Sequence, residues 1–358
     1  MAASLVVLFH TAMTARNSGR PADFFPVTLI DQGHTGVALF MVISGFIMTT
    51  MFAGRELEPV KFYMNRFLRI YPLMILVVTV GYFSTPDPRP TSAGVDYLMS
   101  LLPISNLYRL NYGAFGGHLW TIAVELQFYL LLPLLLKFRE RYGSRRFYAC
   151  VLGLAFAFRV AQYIVNGTTH TFTYFTIFGS IDLFIGGMIA AELYPIIQER
   201  KLRFSLWWSA VALVVIAAII AWLFSYPSFF QIDFHNIAPD HISRSNKWIF
   251  WPPLQAIMWG SFLLLYLRSV GEIPGAAIVA NFGKWSYSTY IWHILIIEIL
   301  KNKFLWMTPY ALGVLVILPV TLVVSFASYN LIEVPFLGLR SAYARSTAAQ
   351  ATGARQVA

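Results

Sequence analysis

Few residues of this chain can do chemistry, and most of them lie in apolar surroundings. Glu125 falls near the middle of the run GHLWTIAVELQFYLLLPLLL at 117–136. A carboxylate at membrane depth is costly unless it is paired, protonated or turned to a polar cavity. Glu125 therefore either fastens a neighbouring helix or lines a reaction or transport cavity. His118 and Trp120 open the same run, where both could donate hydrogen bonds at a cavity mouth. His10 ends the first apolar stretch. An imidazole with an ordinary pKa near 6.5 is mostly neutral at pH 7 and can accept a proton. Arg66 and Arg69 are three apart and share one helix face. Their guanidinium forks could bind phosphate, and they equally suit anchoring at the inner side of a membrane. His293 follows Tyr287 and Tyr290 on one apolar segment. It reads as either a second polar cavity residue or a satisfied histidine inside a bundle.

Other reactive groups are set aside. Ser44, in ISGF, lacks the GxSxG elbow of a nucleophilic serine and could serve close helix packing instead. Asp233, His235, Asp240 and His241 crowd one polar loop, but their spacing fits no zinc pattern, and no metal is expected. Cys150 is the single cysteine. That excludes a disulfide within one chain, and its apolar setting predicts a small buried residue. Glu333 closes the last apolar run as a cap or structural partner.

These residues must be positioned by something other than a soluble domain. Of the 358 residues 58% are hydrophobic and 12% charged, whereas soluble domains carry about a quarter charged residues. Runs of spanning length, which need roughly 20 apolar residues for a core of about 30 Å, recur between short polar loops. The alternation of a membrane barrel is absent. The fold class is an all-α polytopic bundle of about ten transmembrane helices. The spans fall near 2–13, 34–52, 70–83, 117–136, 147–165, 172–194, 206–224, 248–267, 285–300 and 310–332. The first is too short to cross by itself and reads as the outer part of a helix whose inner part is short or missing. Tyr71-Pro72 sits in the first turn of the third, where proline is tolerated. The apolar stretch 97–102 could dip into the interface. The fifth holds Arg159 and the sixth Asp182 and Glu192. The seventh is wholly apolar and is expected to be the most peripheral.

The net charge of +10 is explained by the loops rather than by nucleic-acid binding. Loops after even-numbered spans, with the tail, hold 17 Lys and Arg, against 8 after odd-numbered spans. That bias places both termini in the cytoplasm, with His10 near the outer face and Arg66 and Arg69 at the inner face. One membrane domain, 1–336, is followed by a polar tail, 337–358, expected to be disordered. No internal repeat is evident, which counts against transporters built from inverted halves.

Seven pieces in order resemble the acyltransferase-3 family of integral membrane acyltransferases, which decorate bacterial surface sugars. They are LVVLFH at 5–10, GVALFMVISGF at 36–46, RFLRIYP at 66–72, HLWTIAVELQFYLLLP at 118–133, DLFIGGMIA at 182–190, WSYSTYIWH at 285–293 and IEVPF at 332–336. The family's arginine eleven residues before the first histidine would fall before Met1, so a native start upstream is expected. The resemblance implies O-acyl transfer, with acetyl the expected group, from acyl-CoA as co-substrate to a carbohydrate acceptor. That acceptor would be a surface polysaccharide or its lipid-linked precursor. No cofactor is expected to be permanently bound. The setting would be the lipid bilayer of the bacterial inner membrane. His10 would be the general base, Arg66 and Arg69 would hold the donor's phosphates, Glu125 would orient a histidine, and His118, Trp120 and His293 would support the cavity and oxyanion. A small natural product such as a macrolide is the alternative acceptor. A transporter or flippase using Glu125, Arg159, Asp182 and His293 as its path is the alternative class.

Overall fold

The computed structural model describes residues 2–17, 33–84, 93–108, 117–225, 244–270, 276–341 and 344–346. It is a helical membrane bundle. In chain order the helices are α1 (Ala2–Asn17), α2 (Thr35–Phe52), α3 (Pro59–Ser84), α4 (Ala93–Ser100), α5 (Ser105–Tyr108), α6 (Trp120–Tyr142) and α7 (Ser144–Asn166). Then come α8 (His170–Phe175), α9 (Ile177–Glu199), α10 (Leu206–Ser225), α11 (Trp251–Leu267), α12 (Ala276–Lys284), α13 (Ser286–Leu300) and α14 (Pro309–Gly338). Seven of these (α2, α3, α6, α7, α9, α10 and α14) are long and apolar enough to cross a membrane. The shorter α1, α11 and α13 fill three of the ten expected span positions. A 3₁₀ turn at Asn246–Ile249 leads into α11, and α12 precedes α13 across Trp285.

Local signals set many ends. Thr176 caps α9 by accepting a hydrogen bond from the Gly179 amide at 3.1 Å. Gly167 ends α7 at φ 67°, a left-handed conformation that costs glycine nothing. Thr308 and Pro309 open α14, and two π-helical turns interrupt it at Gly313–Ile317 and Tyr329–Glu333.

The core is organised on α9, which packs against α2 and α11. A Cβ on Gly187 would lie 2.0 Å from the Val42 carbonyl oxygen, and one on Gly45 would lie 2.0 Å from that of Phe184. Only glycine permits backbones to approach so closely, and in lipid such contact replaces the hydrophobic drive between helices. Inside this packing Arg159 and Asp182 form a two-point ion pair at 2.6 and 3.0 Å. Arg159 also donates to the Ile249 and Gly179 carbonyls, both at 2.9 Å. These bonds tie α7, α9 and the start of α11 together. The two residues satisfy each other inside the bundle.

Four expectations need correction. The third helix begins at Pro59, so Arg66 and Arg69 lie within it and Pro72 is inside rather than in its first turn. Cys150 is exposed, because α7 turns most of its surface outward. That helix, 11% buried over its spanning window, is more peripheral than α10 at 22%. Within the tail, Ala344–Ser346 is not disordered but pairs antiparallel with Arg55–Leu57. The Ser341 backbone is held on both sides by the buried Asn65 side chain. Within 97–102, Tyr97 and Leu101 pack on the core while Leu98 and Leu102 are exposed, and Tyr97 meets Thr79 through their hydroxyls at 3.1 Å. Residues 226–243, with Asp233, His235, Asp240 and His241, lie outside the described residues.

Candidate active site

Three histidines meet at one end of the bundle. His10 from α1 and His293 from α13 approach at 3.1 Å between Nδ1 and Nε2. His118, in the turn before α6, sets its ring edge-on to His293 with centroids 5.0 Å apart. The chain brings α1 and α13 side by side, which joins residues 283 apart in sequence.

Backbone carbonyls assign the protons, because a carbonyl only accepts. His293 Nδ1 faces the Tyr290 carbonyl, so it carries the hydrogen and Nε2 keeps a lone pair. His10 Nδ1 faces both the Val6 carbonyl at 3.1 Å and that lone pair. Its hydrogen is shared between them, and His10 Nε2 is left as the basic nitrogen. His118 Nε2 donates to the Ile291 carbonyl at 3.2 Å. In its neutral form His118 therefore offers a lone pair at Nδ1, a buried atom with no hydrogen-bond partner among the described residues. It has no spare N–H for an oxyanion. Trp120 is buried against Tyr174 and Phe175, not against the three imidazoles.

Polar groups continue from the histidines into the bundle. Tyr290 donates to the His118 carbonyl at 2.7 Å, and Thr121 donates to Tyr290 at 2.6 Å. Glu125 is one turn further along α6 and buried. It accepts from the Tyr129 hydroxyl, and Ser44, Arg66 and Arg69 act on it from α2 and α3. Arg66 lies over the Tyr129 ring at 5.4 Å and the Phe62 ring at 5.7 Å. Arg69 pairs with Glu333, which also accepts from Ser288. Arg69 sits 5.5 Å from the Tyr287 ring, whose hydroxyl donates to the Ile70 carbonyl at 2.6 Å. Along α6 from Thr121 to Tyr129 the column runs about 12 Å at 1.5 Å per residue.

The predicted residues thus separate into two connected groups. His10, His118 and His293 gather at one end, and Arg66, Arg69 and Glu125 at the other. Glu125 is bonded to Tyr129 rather than to a histidine. Tyr129, Thr121, Ser288 and Tyr290 are part of the column and were not singled out as site residues. Tyr129 was legible as the residue one helical turn from Glu125 on the same face. Glu333 rides on a π-helical turn, a distortion that frequently marks functional sites. Among the described residues no group of three or more His, Cys, Asp or Glu could hold a metal ion.

Buried histidines and a pair of arginines, with hydroxyls and a carboxylate between them inside a helical membrane bundle, are an arrangement that a membrane group-transfer enzyme could use. The family model described as an acyltransferase domain matches residues 1–330, and the chain belongs to that family of acyltransferases. Nodulation protein 10 of Rhizobium leguminosarum bv. viciae is 27% identical over 366 residues, covering 95% of this chain and 92% of that protein. O-acetyltransferase OatA of Staphylococcus aureus (strain NCTC 8325 / PS 47) is 24% identical over 339 residues, covering 86% of this chain. The chain spans about half (53%) of the length of that staphylococcal protein. No solved structure matches.

Proposed function

We propose that the protein transfers an acetyl group from acetyl-CoA to a hydroxyl of a surface polysaccharide or its lipid-linked precursor. The similarity to a staphylococcal O-acetyltransferase supports acetyl transfer to oxygen. The 17-to-8 distribution of Lys and Arg supports cytoplasmic termini in the bacterial inner membrane. The histidines then lie toward the outer side and the arginines toward the cytoplasm.

The observation that carries this reading is the His10–His293 bond at 3.1 Å, which leaves the lone pair on His10 Nε2. That nitrogen takes the acceptor's hydroxyl proton as the oxygen attacks the thioester carbonyl. A C–O bond forms, the C–S bond breaks, and sulfur leaves as the CoA thiolate. The proton passes from His10 to the thiolate or to water. While His10 is charged, its Nδ1–H bonds the His293 lone pair more strongly. Arg66 and Arg69 bind the donor's phosphates, with Arg69 exchanging its Glu333 carboxylate for phosphate oxygens. The polar column between the two ends is the route by which the acyl-bearing arm reaches the base.

The test uses the protein in proteoliposomes, with acetyl-CoA supplied on one side and envelope glycan on the other. Free thiol should appear on the donor side only when glycan is present, with acetyl recovered on glycan oxygen. Glycan moving across without thiol release would replace this reading with a transporter.

A further inference from the structure

The end of α14 returns to the arginines of α3. Just past Gly338, the Leu339 amide donates to the Phe336 carbonyl at 3.2 Å and the Arg340 amide to that of Leu337 at 3.3 Å, which turns the chain sharply. The next residue, Ser341, is caught by the buried Asn65 of α3, the neighbour of Arg66. The Asn65 side chain donates to the Ser341 carbonyl at 2.6 Å and accepts from its N–H at 3.2 Å. A few residues on, Ala344–Ser346 pairs with Arg55–Leu57. The segment that carries Arg340 is therefore held on both sides. The Arg340 Nε is buried, and the guanidinium acts on Glu333, the carboxylate that also pairs with Arg69. Arg340 thus joins Arg66 and Arg69 at the same end of the bundle. The two cross-links give their order. Asn65, which holds Ser341, lies about 6 Å nearer the start of α3 than Arg69, at 1.5 Å per residue. Arg340 stands at the mouth and Arg69 inside it. Glu58, just before α3, is engaged by Lys61 at 2.8 Å. Among the described residues two carboxylates, Glu125 and Glu333, act on these three guanidiniums, and the positive excess suits an anion.

We infer that Arg340 binds the 3′-phosphate of the coenzyme A donor and makes the protein select that donor over its 3′-dephospho form. The inference rests on the acetyl-CoA reading above and adds a specificity-determining residue to its donor site. The order of charges along the donor matches the order of the arginines. Read from the thioester, the uncharged pantetheine arm comes first, then the diphosphate, then the ribose with its 3′-phosphate. An arm directed along the column toward His10 sets the diphosphate against Arg66 and Arg69. The 3′-phosphate, outermost on the donor, then falls at the mouth, where Arg340 stands. A guanidinium fork matches two oxygens of one phosphate. In the free protein Glu333 offsets the charge of Arg340, as it does that of Arg69, and phosphate oxygens take over from the carboxylate when the donor enters. The clamp of Asn65 on Ser341 fixes the backbone beside Arg340, so less of its freedom is lost on binding.

The experiment measures, by calorimetry on the full-length protein in detergent micelles, the Kd of acetyl-CoA and of 3′-dephospho-acetyl-CoA. The wild type should bind acetyl-CoA about 10- to 10²-fold more tightly, the range for one hydrogen-bonded charge. Arg340→Ala should abolish that preference by weakening acetyl-CoA alone. Arg340→Lys should keep part of it, because an ammonium still meets phosphate as a point charge. Arg66→Ala should weaken both donors and preserve the preference. A merely structural Arg340 would, when replaced, weaken both donors by the same factor, and that result overturns the inference. So does a preference that survives in Arg340→Ala. Arg340→Gln, which keeps much of the side-chain stem, is read in the same way and covers a folding failure of the alanine variant. A wild-type protein that binds neither donor refutes the acetyl-CoA reading itself, whereas one that binds both equally refutes only the role of Arg340.

Discussion

Replacing His293 with Ala removes one of the two acceptors that hold the His10 Nδ1–H, leaving only the Val6 carbonyl. In the ground state the loss is small, because the remaining carbonyl still fixes the tautomer. It grows when His10 becomes an imidazolium, since hydrogen bonds to charged groups contribute about 1.5–3 kcal/mol. At 1.36 kcal/mol per factor of ten in rate, the expected fall in kcat is about 10- to 10²-fold. Losing the base itself costs about 10²–10⁴-fold, so His293→Ala should be milder than His10→Ala. The assay is thiol release at saturating acetyl-CoA and acceptor, with the donor KM unchanged. His293→Gln, which can place an amide oxygen near the vacated lone pair, should recover part of the rate; a purely structural role would show no such rescue. Normal turnover in His293→Ala would remove the positioning role. A loss as deep as in His10→Ala would instead make His293 the base.

Other consequences of the packing are open to the same treatment. Arg66→Ala should weaken acetyl-CoA binding, measured by calorimetry, and Arg66→Lys should not fully restore it because the planar fork is lost. Arg69→Ala should in addition destabilise the fold by leaving Glu333 buried and underpaired, and Glu333→Gln in the same chain should relieve that part. Arg159→Met should cost about 3–5 kcal/mol by stranding Asp182, while Arg159→Met with Asp182→Leu should regain much of the loss in denaturation midpoint. Gly187→Ala must push α9 off the Val42 carbonyl, which a Cβ would meet at 2.0 Å. Overpacking of this kind typically costs about 1–3 kcal/mol, so folded yield and thermal stability should fall even though the substitution is remote from the histidines.

The membrane class and the helix positions were legible because each apolar run reports its own burial. Partners across the bundle were not. Arg159 and Asp182 each stood out as a charge in an apolar run, yet nothing in either segment says that they bond each other. Glu125 stood out for the same reason, but its acceptor role toward Tyr129 depends on a side-chain direction that composition does not carry. His293 remained open between cavity and bundle until α1 was seen to pack on α13. The repeat of Tyr287, Tyr290 and His293 at three-residue spacing already placed them near one helix face. The span after Arg66 and Arg69 is expected to start only near 70, because basic residues mark loops in membrane proteins. Pro59 as a helix start, with Asn65 buried between the chain and its tail, overrides that signal. Cys150 was misread because an apolar run signals burial in a soluble core, while in a bilayer the same run faces lipid.

The central claim is that His10 is the base of acyl transfer, and His10→Ala tests it most directly. In proteoliposomes the variant should insert, keep its thermal stability and bind acetyl-CoA with unchanged affinity. Its acceptor-dependent thiol release should fall by about 10²–10⁴-fold, the loss expected for a positioned base. A folded His10→Ala protein that acetylates glycan at the wild-type rate would contradict the account, and His118, whose Nδ1 has no hydrogen-bond partner among the described residues, would become the residue to test.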